Sequence, residues 1–106
     1  MQKGVIPLTC SYNERGAVEE IKTHRKEIDA IDKQLVALLN QRAYHSLVIR
    51  DAKPEVGMAL YDPKREVEIL KKVYDANNQE KGPLYNDHIR EIYESILRVM
   101  KEIPSL

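Results

Sequence analysis

One stretch of the chain, from Ala17 to Lys53, carries apolar residues at positions alternately three and four apart. This spacing is typical of a heptad-like stripe on one long helix. Charged residues interrupt the stripe, although a helix normally buries that face, and such charges need partners or a ligand. The sequence leaves equally open that the long Arg and Lys side chains reach solvent from the edge of the stripe. We call this set the heptad stripe; it comprises Val18, Ile21, Arg25, Ile28, Asp32, Leu35, Leu39, Arg42, Ser46, Ile49 and Lys53.

The length of this predicted helix indicates a partner. At about 1.5 Å per residue it spans roughly 55 Å, whereas a compact chain of this size has a radius of gyration of about 13 Å. Two shorter helices cannot cover such a stripe, so the simplest arrangement pairs two long helices from two chains in an interlocked dimer. In that dimer Arg25 can reach a pocket built mainly by the other chain.

Proline and asparagine positions predict where the remaining elements begin and end. Pro54 cannot continue the long helix, which places Lys53 at or near its C-terminal end. The pair Asp62-Pro63 is a strong start for a second helix, which we expect to run to about Asn77. A third helix, capped by Asn86 or Asp87, stops at Pro104. The pattern contains no strands and predicts an all-α protomer of three helices.

The segment before the long helix has no sustained period. It contains Gly4, Pro7 and Gly16, and we expect residues 1–16 to form a flexible leader and residues 17–106 to form one domain. The lone Cys10 cannot form an internal disulfide and has no metal-ligand spacing around it. We therefore interpret it as an incidental thiol.

Composition narrows the possible partners and location. The chain has 17 basic and 17 acidic residues, so it lacks the basic footprint of a nucleic-acid-binding protein. No apolar run is long enough to span a bilayer, and the first ten residues do not form a secretory signal. We expect a cytoplasmic protein that binds neither nucleic acid nor membrane.

Three groups of residues together resemble the all-helical (AroQ-type) chorismate mutases. They are the run from Arg25 to Arg42 (RKEIDAIDKQLVALLNQR), then Lys53, and then the cluster Tyr61-Asp62-Pro63-Lys64-Arg65-Glu66. The resemblance implies a three-helix protomer, an intertwined homodimer with two active sites, and rearrangement of chorismate to prephenate on the way to phenylalanine and tyrosine. It implies no cofactor and no metal.

The resemblance also assigns roles to individual residues. Arg25 of the partner chain and Arg42 would bind the two substrate carboxylates, since a guanidinium suits bidentate pairing. Lys53 would donate to the ether oxygen, where negative charge builds in the transition state. Because the rearrangement moves no proton, catalysis reduces to holding the reactive conformer and placing donors where charge develops.

The start of the second helix is expected to complete the site. By resemblance Arg65 would act from its first turn, while Glu66 and the Asp62 region would accept the ring hydroxyl. Other interpretations of these residues stay open. Arg65 and Glu66 taken alone are typical of surface charge in a first turn, and Asp62 is more typical of a plain helix cap than of a ligand contact.

The third helix departs from the family pattern. Where the family carries polar residues that face the substrate, this chain has Ile96 and Met100, which cannot donate a hydrogen bond. A different register would instead bring Ser95, Arg98 or Lys101 to the site.

Two other functions stay open. The first is a related enzyme on the same scaffold, either an isochorismate pyruvate lyase or an aminodeoxychorismate mutase; the resemblance implies that those relatives tend to lack the glutamate found here as Glu66. The second is a non-catalytic regulatory helical dimer, although packing alone gives no reason for cations on inner faces. Association with another shikimate-pathway enzyme is a further possibility.

Overall fold

The computed structural model describes the backbone of residues 7–105 and the side chains of residues 14–105. Over this range the chain contains helices and no strand, which confirms the predicted all-α protomer with one long N-terminal helix. The elements are α1 (Pro7–Ala52), a 3-10 turn (Lys53–Val56), α2 (Pro63–Glu80) and α3 (Asn86–Glu102).

The first helix begins earlier than the sequence predicted, at Pro7 instead of Ala17. Proline suits the first position of a helix, because its fixed φ is helical and its missing N–H would have no partner there. Gly16 costs an exposed helix about 1 kcal/mol relative to alanine, which is too little to end it. The expectation of irregular structure is therefore wrong for residues 7–16, and residues 1–6 lie outside the described residues. The division into a leader and a domain at residue 17 stays a prediction.

The chain divides into two compact units, Met1–Asn40 and Gln41–Leu106. In the first unit, every described side chain from Glu14 to Asn40 is exposed. The large apolar side chains of this unit are 39% to 58% exposed, so its described residues form no core. They are Val18, Ile21, Ile28, Ile31, Leu35, Val36, Leu38 and Leu39.

The second unit begins with the C-terminal part of α1. That helix ends at Ala52, immediately before the predicted stop, and Lys53 opens the 3-10 turn. Gly57 closes the turn with φ of 73°, a left-handed conformation that favours glycine. Its N–H donates to the Pro54 carbonyl over 3.2 Å, and the Met58 N–H donates to the Lys53 carbonyl over 2.9 Å.

The cap predicted for α2 is confirmed. Asp62 Oδ1 accepts a hydrogen bond from the Arg65 N–H over 3.1 Å, and Pro63 occupies the first helical position. The helix continues past Asn77 to Glu80, and Lys81 follows in the left-handed conformation with φ of 55°.

The cap predicted for α3 is wrong by at least one residue. Tyr85, and neither Asn86 nor Asp87, is the N-cap residue. The side chain of Asn86 is engaged elsewhere, because its Oδ1 accepts from Asn77 Nδ2 over 3.1 Å. The same Nδ2 donates to the Leu84 carbonyl over 3.0 Å, so Asn77 holds the connection between α2 and α3. His88 Nδ1 accepts from the Tyr85 N–H over 3.0 Å and completes the start of α3.

Few side chains of the second unit are buried. Leu47 of α1 is 5% exposed and Met100 of α3 is 9% exposed, and α2 packs along α3. Val67 of α2 is 68% exposed, and Ile92 of α3 is 48% exposed. The described chain therefore leaves apolar surface uncovered in both units.

Arg50 of α1 fastens the C-terminal end of α3. Its Nη1 donates to the Ile103 carbonyl over 2.8 Å and its Nη2 donates to the Met100 carbonyl over 2.7 Å. Carbonyls in the last turn of a helix have no partner within that helix, and a cation there also interacts favourably with the helix dipole. These two bonds connect the C-terminal end of α3 to α1.

Candidate active site

A cavity of about 560 Å³ opens in the second unit, with walls from the last turns of α1, the first turn of α2 and the last turns of α3. Its volume lies within the range of roughly 300 to 1,000 Å³ typical of small-molecule sites. Cations outnumber carboxylates on its walls, which favours an anionic ligand. The charged lining residues are Arg42, Arg50, Lys53, Arg65 and Lys101, with Asp62 and Glu66.

Arg42 contributes a half-buried guanidinium from α1. Its Nη1 lies 3.4 Å from Ser46 Oγ, one turn further along the helix, which is long for a hydrogen bond. No carboxylate lies within 4.0 Å of Arg42 in residues 14–105. The planar fork of this guanidinium is therefore available to an anionic ligand.

Lys53 is half-buried at the point where α1 gives way to the 3-10 turn. Its Nζ donates to the Leu60 carbonyl over 3.1 Å, and that bond ties the ammonium to the segment before α2. An ammonium has three N–H donors, so this contact positions Lys53 and leaves donors for a ligand.

Arg65 and Asp62 both line the cavity and also have structural partners. Asp62 caps α2, as described above, while Arg65 Nη1 lies 3.2 Å from Glu68 Oε1 on the same helix. Both side chains of that pair are more than half exposed, with values of 52% and 63%, so the pair holds Arg65 only weakly. Breaking the pair with Glu68 so that Arg65 can bind an anionic ligand therefore costs little free energy.

Glu66 is the more buried carboxylate of the cavity. It is half-buried, and its Oε2 lies 2.9 Å from Lys101 Nζ of α3. The same ammonium lies 5.0 Å from the centroid of the Tyr61 ring, within the range of a cation–π contact. Lys101 thus joins the last turn of α3 to the first turn of α2.

The third helix supplies one of the two apolar residues expected at the site. Met100 lines the cavity, whereas Ile96 is half-buried and is not among the lining residues. Of the polar residues that another register would have presented, Lys101 lines the cavity and Ser95 and Arg98 do not. Arg98 instead pairs with Glu102 over 3.2 Å on the exposed face of α3.

A family model for chorismate mutase type II matches residues 24–104. The chain belongs to this family. It is 36% identical over 91 residues to a bifunctional chorismate mutase/prephenate dehydratase from Aquifex aeolicus, covering 81% of this chain and 25% of that protein. It is 38% identical over 74 residues to a protein of the same name from Neisseria gonorrhoeae, covering 70% of this chain and 19% of that protein. The chain therefore spans a quarter or less of the length of these curated relatives.

Solved structures of the chorismate mutase family share this fold. The Form II structure of chorismate mutase from Thermus thermophilus superposes with a TM-score of 0.73 at 30% identity, covering 79% of this chain and 92% of that chain. The Form I structure gives a TM-score of 0.71 at 31% identity, covering 76% and 98%. The likeness thus extends over nearly the whole length of those mutases.

Most motif positions that resemble the chorismate mutases line this cavity. They are Arg42, Lys53, Asp62, Arg65 and Glu66. Arg25 belongs to the first unit, where it is exposed, and is not among the lining residues.

Residues 14–105 contain no group of three or more His, Cys, Asp or Glu side chains that would hold a metal ion. Among the described helices, none combines the length and apolar character needed to cross a membrane.

Arg50 was not predicted from the sequence, and Lys101 was predicted only as one of three alternatives. Both signals were present in the sequence. Arg50 follows Ser46 by four residues and shares its helical face, but the alternating three-and-four count stepped to Ile49 instead. Lys101 lies four residues after Leu97, another residue that lines the cavity.

Proposed function

We propose that this chain catalyses the rearrangement of chorismate to prephenate. The observation that carries the proposal is the convergence of Arg42, Lys53, Arg65 and Glu66 on one cavity. Chorismate carries two carboxylates, and cations outnumber carboxylates on the cavity walls. Membership of the type II chorismate mutases supports the same reaction.

The reaction requires positioning and electrostatic stabilisation from the protein. It breaks a C–O bond and forms a C–C bond through a chair-like transition state, with no proton transfer. Arg42 binds a carboxylate and so holds the substrate in its reactive conformer. Lys53 donates a hydrogen bond to the ether oxygen, where negative charge develops as the C–O bond breaks. Glu66 accepts a hydrogen bond from the ring hydroxyl. Arg65 adds a cation at the start of α2.

The working form that we propose is a homodimer with shared active sites. The heptad stripe of the first unit leaves its apolar side chains about half exposed, and a second copy of the same helix is a self-complementary cover for it. Arg25 lies on that stripe and would reach the cavity of the partner chain to bind a substrate carboxylate. Substrate binding would then depend on dimer formation.

Three further predictions concern context. The curated relatives are named as bifunctional proteins with prephenate dehydratase, and this chain matches a quarter or less of each. Association with another enzyme of the pathway therefore stays a prediction, as do the cytoplasmic location and the absence of a cofactor.

The alternatives differ in substrate and product. An isochorismate pyruvate lyase would release pyruvate, and an aminodeoxychorismate mutase would need an amino-substituted substrate. The presence of Glu66 in the cavity favours chorismate, because the resemblance implies that enzymes of these two alternative kinds tend to lack that glutamate. A non-catalytic helical dimer would turn over none of these compounds.

A direct assay tests the proposal. Purified protein is incubated with chorismate, loss of chorismate is followed by absorbance, and the product is identified by mass spectrometry and NMR. We expect prephenate. Lys53→Ala should lower turnover by about a hundredfold or more, since removing a donor to a developing oxyanion typically costs about 2.7 to 4 kcal/mol.

Lys64→Ala is the matched control for this assay, because Lys64 is an exposed lysine next to the cavity that does not line it. It should retain wild-type turnover. Release of pyruvate, or loss of chorismate no faster than in the absence of protein, would reject the proposed reaction.

A further inference from the structure

We propose that Lys101 is a positioning residue for Glu66, and that it orients this carboxylate to accept the substrate hydroxyl. The inference rests on the proposed function, which gives Glu66 that role. Its basis is the contact between Lys101 Nζ and Glu66 Oε2 over 2.9 Å at the cavity wall.

Glu66 needs a partner because of where it lies. Its side chain is 29% exposed in a cavity that should bind a dianion, so an uncompensated carboxylate there would repel the substrate. Arg65, its neighbour in sequence, does not serve, because it points to Glu68. In residues 14–105, Lys101 is the cation found within 4.0 Å of Glu66.

The geometry of the pair leaves Glu66 able to act on the substrate. A carboxylate has two acceptor oxygens, so Oε2 can hold the ammonium while the other oxygen accepts the hydroxyl. The ammonium itself is held from a second side by the Tyr61 ring, 5.0 Å from its centroid. These two contacts position Lys101 Nζ on a side chain that is 51% exposed, and the ion pair restricts the rotamer of Glu66, which is the more buried partner.

The backbone that carries Lys101 is also fixed. Arg50 donates to the carbonyls of Met100 and Ile103 over 2.7 Å and 2.8 Å, on either side of Lys101 in the sequence. The last turn of α3 is thereby fastened to α1. A side chain on a fastened turn places its charge more precisely than one on a frayed helix end.

Lys101 follows the apolar residue Met100 in the wall of the cavity. Met100 offers no donor to the cavity, and the polar contribution of α3 to the site comes from the next residue instead. Lys101 delivers that contribution through Glu66.

The test compares two lysine variants with a matched arginine variant. Lys101→Met keeps a long apolar stem but removes the charge, and it should lower kcat/KM for chorismate by roughly tenfold. Lys101→Arg should retain most activity, because a guanidinium also pairs with a carboxylate. Arg98→Met is the control, since it removes a cation that pairs with Glu102 on the exposed face of the same helix, and it should leave kcat/KM unchanged.

A double-mutant cycle separates positioning from direct substrate contact and from folding. If Lys101 acts through Glu66, the variant carrying Lys101→Met and Glu66→Gln should match Glu66→Gln alone in kcat/KM. A further loss in the double variant would mean that Lys101 binds the substrate itself and would overturn the proposal. So would a Lys101→Met protein that is as active as Arg98→Met.

Wild-type turnover distinguishes the two proposals. Wild-type protein with chorismate mutase activity but no effect of Lys101→Met rejects the positioning role alone. Wild-type protein without activity rejects the proposed function. It also rejects the role of Lys101, because Glu66 would then have no substrate hydroxyl from which to accept a hydrogen bond. Thermal melts of all variants report whether a loss of activity follows from unfolding, and Lys101→Arg supplies a folded variant should Lys101→Met not fold.

Discussion

Met100 is one of two residues at which this chain departs from the polar third helix that the family resemblance leads us to expect. It is 9% exposed and lines the cavity, so a side chain there would contact a bound ligand while being largely shielded from solvent. If that position lies over the breaking C–O bond, the site lacks one donor to the developing oxyanion. An apolar wall lowers the local dielectric and strengthens the pull of Lys53 on the same oxygen, which recovers part of the loss.

We predict that Met100→Gln raises kcat more than it changes KM. The new amide donates chiefly in the transition state, and interactions of that kind appear in kcat. One donor to a developing oxyanion typically raises kcat by about a hundredfold or more. The apolar wall already recovers part of that effect, so the gain in kcat should be about a hundredfold at most. Steady-state kinetics with chorismate provide the measurement.

Met100→Leu is the control for this substitution, because it keeps volume and apolar character at small cost in stability. It should not raise kcat. If Met100→Gln leaves turnover unchanged while both variants fold, another residue lies over the ether oxygen and the register of α3 in the sequence comparison is wrong.

At the scale of the elements, the end of α3 depends on one side chain from α1. We predict that Arg50→Met lowers the free energy of unfolding by about 2 kcal/mol, since hydrogen bonds to charged groups contribute roughly 1.5 to 3 kcal/mol. Both bonds are short and partly buried, at 2.7 Å and 2.8 Å. Urea denaturation at a fixed protein concentration measures the change.

Arg98→Met serves as the comparison for Arg50→Met. Its ion pair with Glu102 is 60% and 62% exposed, and exposed pairs contribute about 0.2 to 1 kcal/mol. Equal destabilisation by the two substitutions would show that the bonds from Arg50 to α3 contribute no more than an exposed pair.

The helix boundaries that were predicted correctly from the sequence are those set by residues at the boundary itself. Pro54 and the pair Asp62-Pro63 act through their own backbone and side chains, and both boundaries are as expected. The cap of α3 was missed because Asn86 is engaged by Asn77, a contact between distant turns that no local pattern encodes. The start of α1 at Pro7 was missed because glycine lowers helix stability without ending a helix.

The residues of the candidate site likewise include some that were predicted from the sequence and one that was left among alternatives. Arg42, Lys53 and Glu66 were predicted from the resemblance to the chorismate mutases, whose motif falls on α1 and on the first turn of α2, where the sequence signals for a helix are strong. Lys101 was left among alternatives because the register of α3 depends on the connection between α2 and α3. Packing decided it, through the contacts that Arg50 and Glu66 make with the last turn.

On the scale of the whole molecule, the exposed heptad stripe predicts that folding and association are coupled. We expect the melting temperature to rise with protein concentration by roughly 3 °C per tenfold increase for a dimer of this size. Differential scanning calorimetry over a range of concentrations, with masses from sedimentation, measures the effect.

Leu35→Glu places a charge in the middle of the stripe, at a side chain that is 51% exposed in the single chain. It should weaken the dimer and lower its melting temperature, whereas the surface substitution Lys64→Ala should not. A melting temperature independent of concentration, together with a monomer mass, would contradict coupled folding and association.

A shared active site makes a stronger prediction, because two inactive proteins should restore activity together. In a mixed dimer of Arg25→Ala and Lys53→Ala chains, one of the two sites receives Arg25 from one chain and Lys53 from the other. Random exchange of equal amounts should then return about a quarter of the wild-type activity per site. A mixture of Arg42→Ala and Lys53→Ala is the control, because both residues line the cavity of one chain and every mixed site keeps a defect. No recovery in the first mixture, with exchange proven by native mass spectrometry, would refute the shared site.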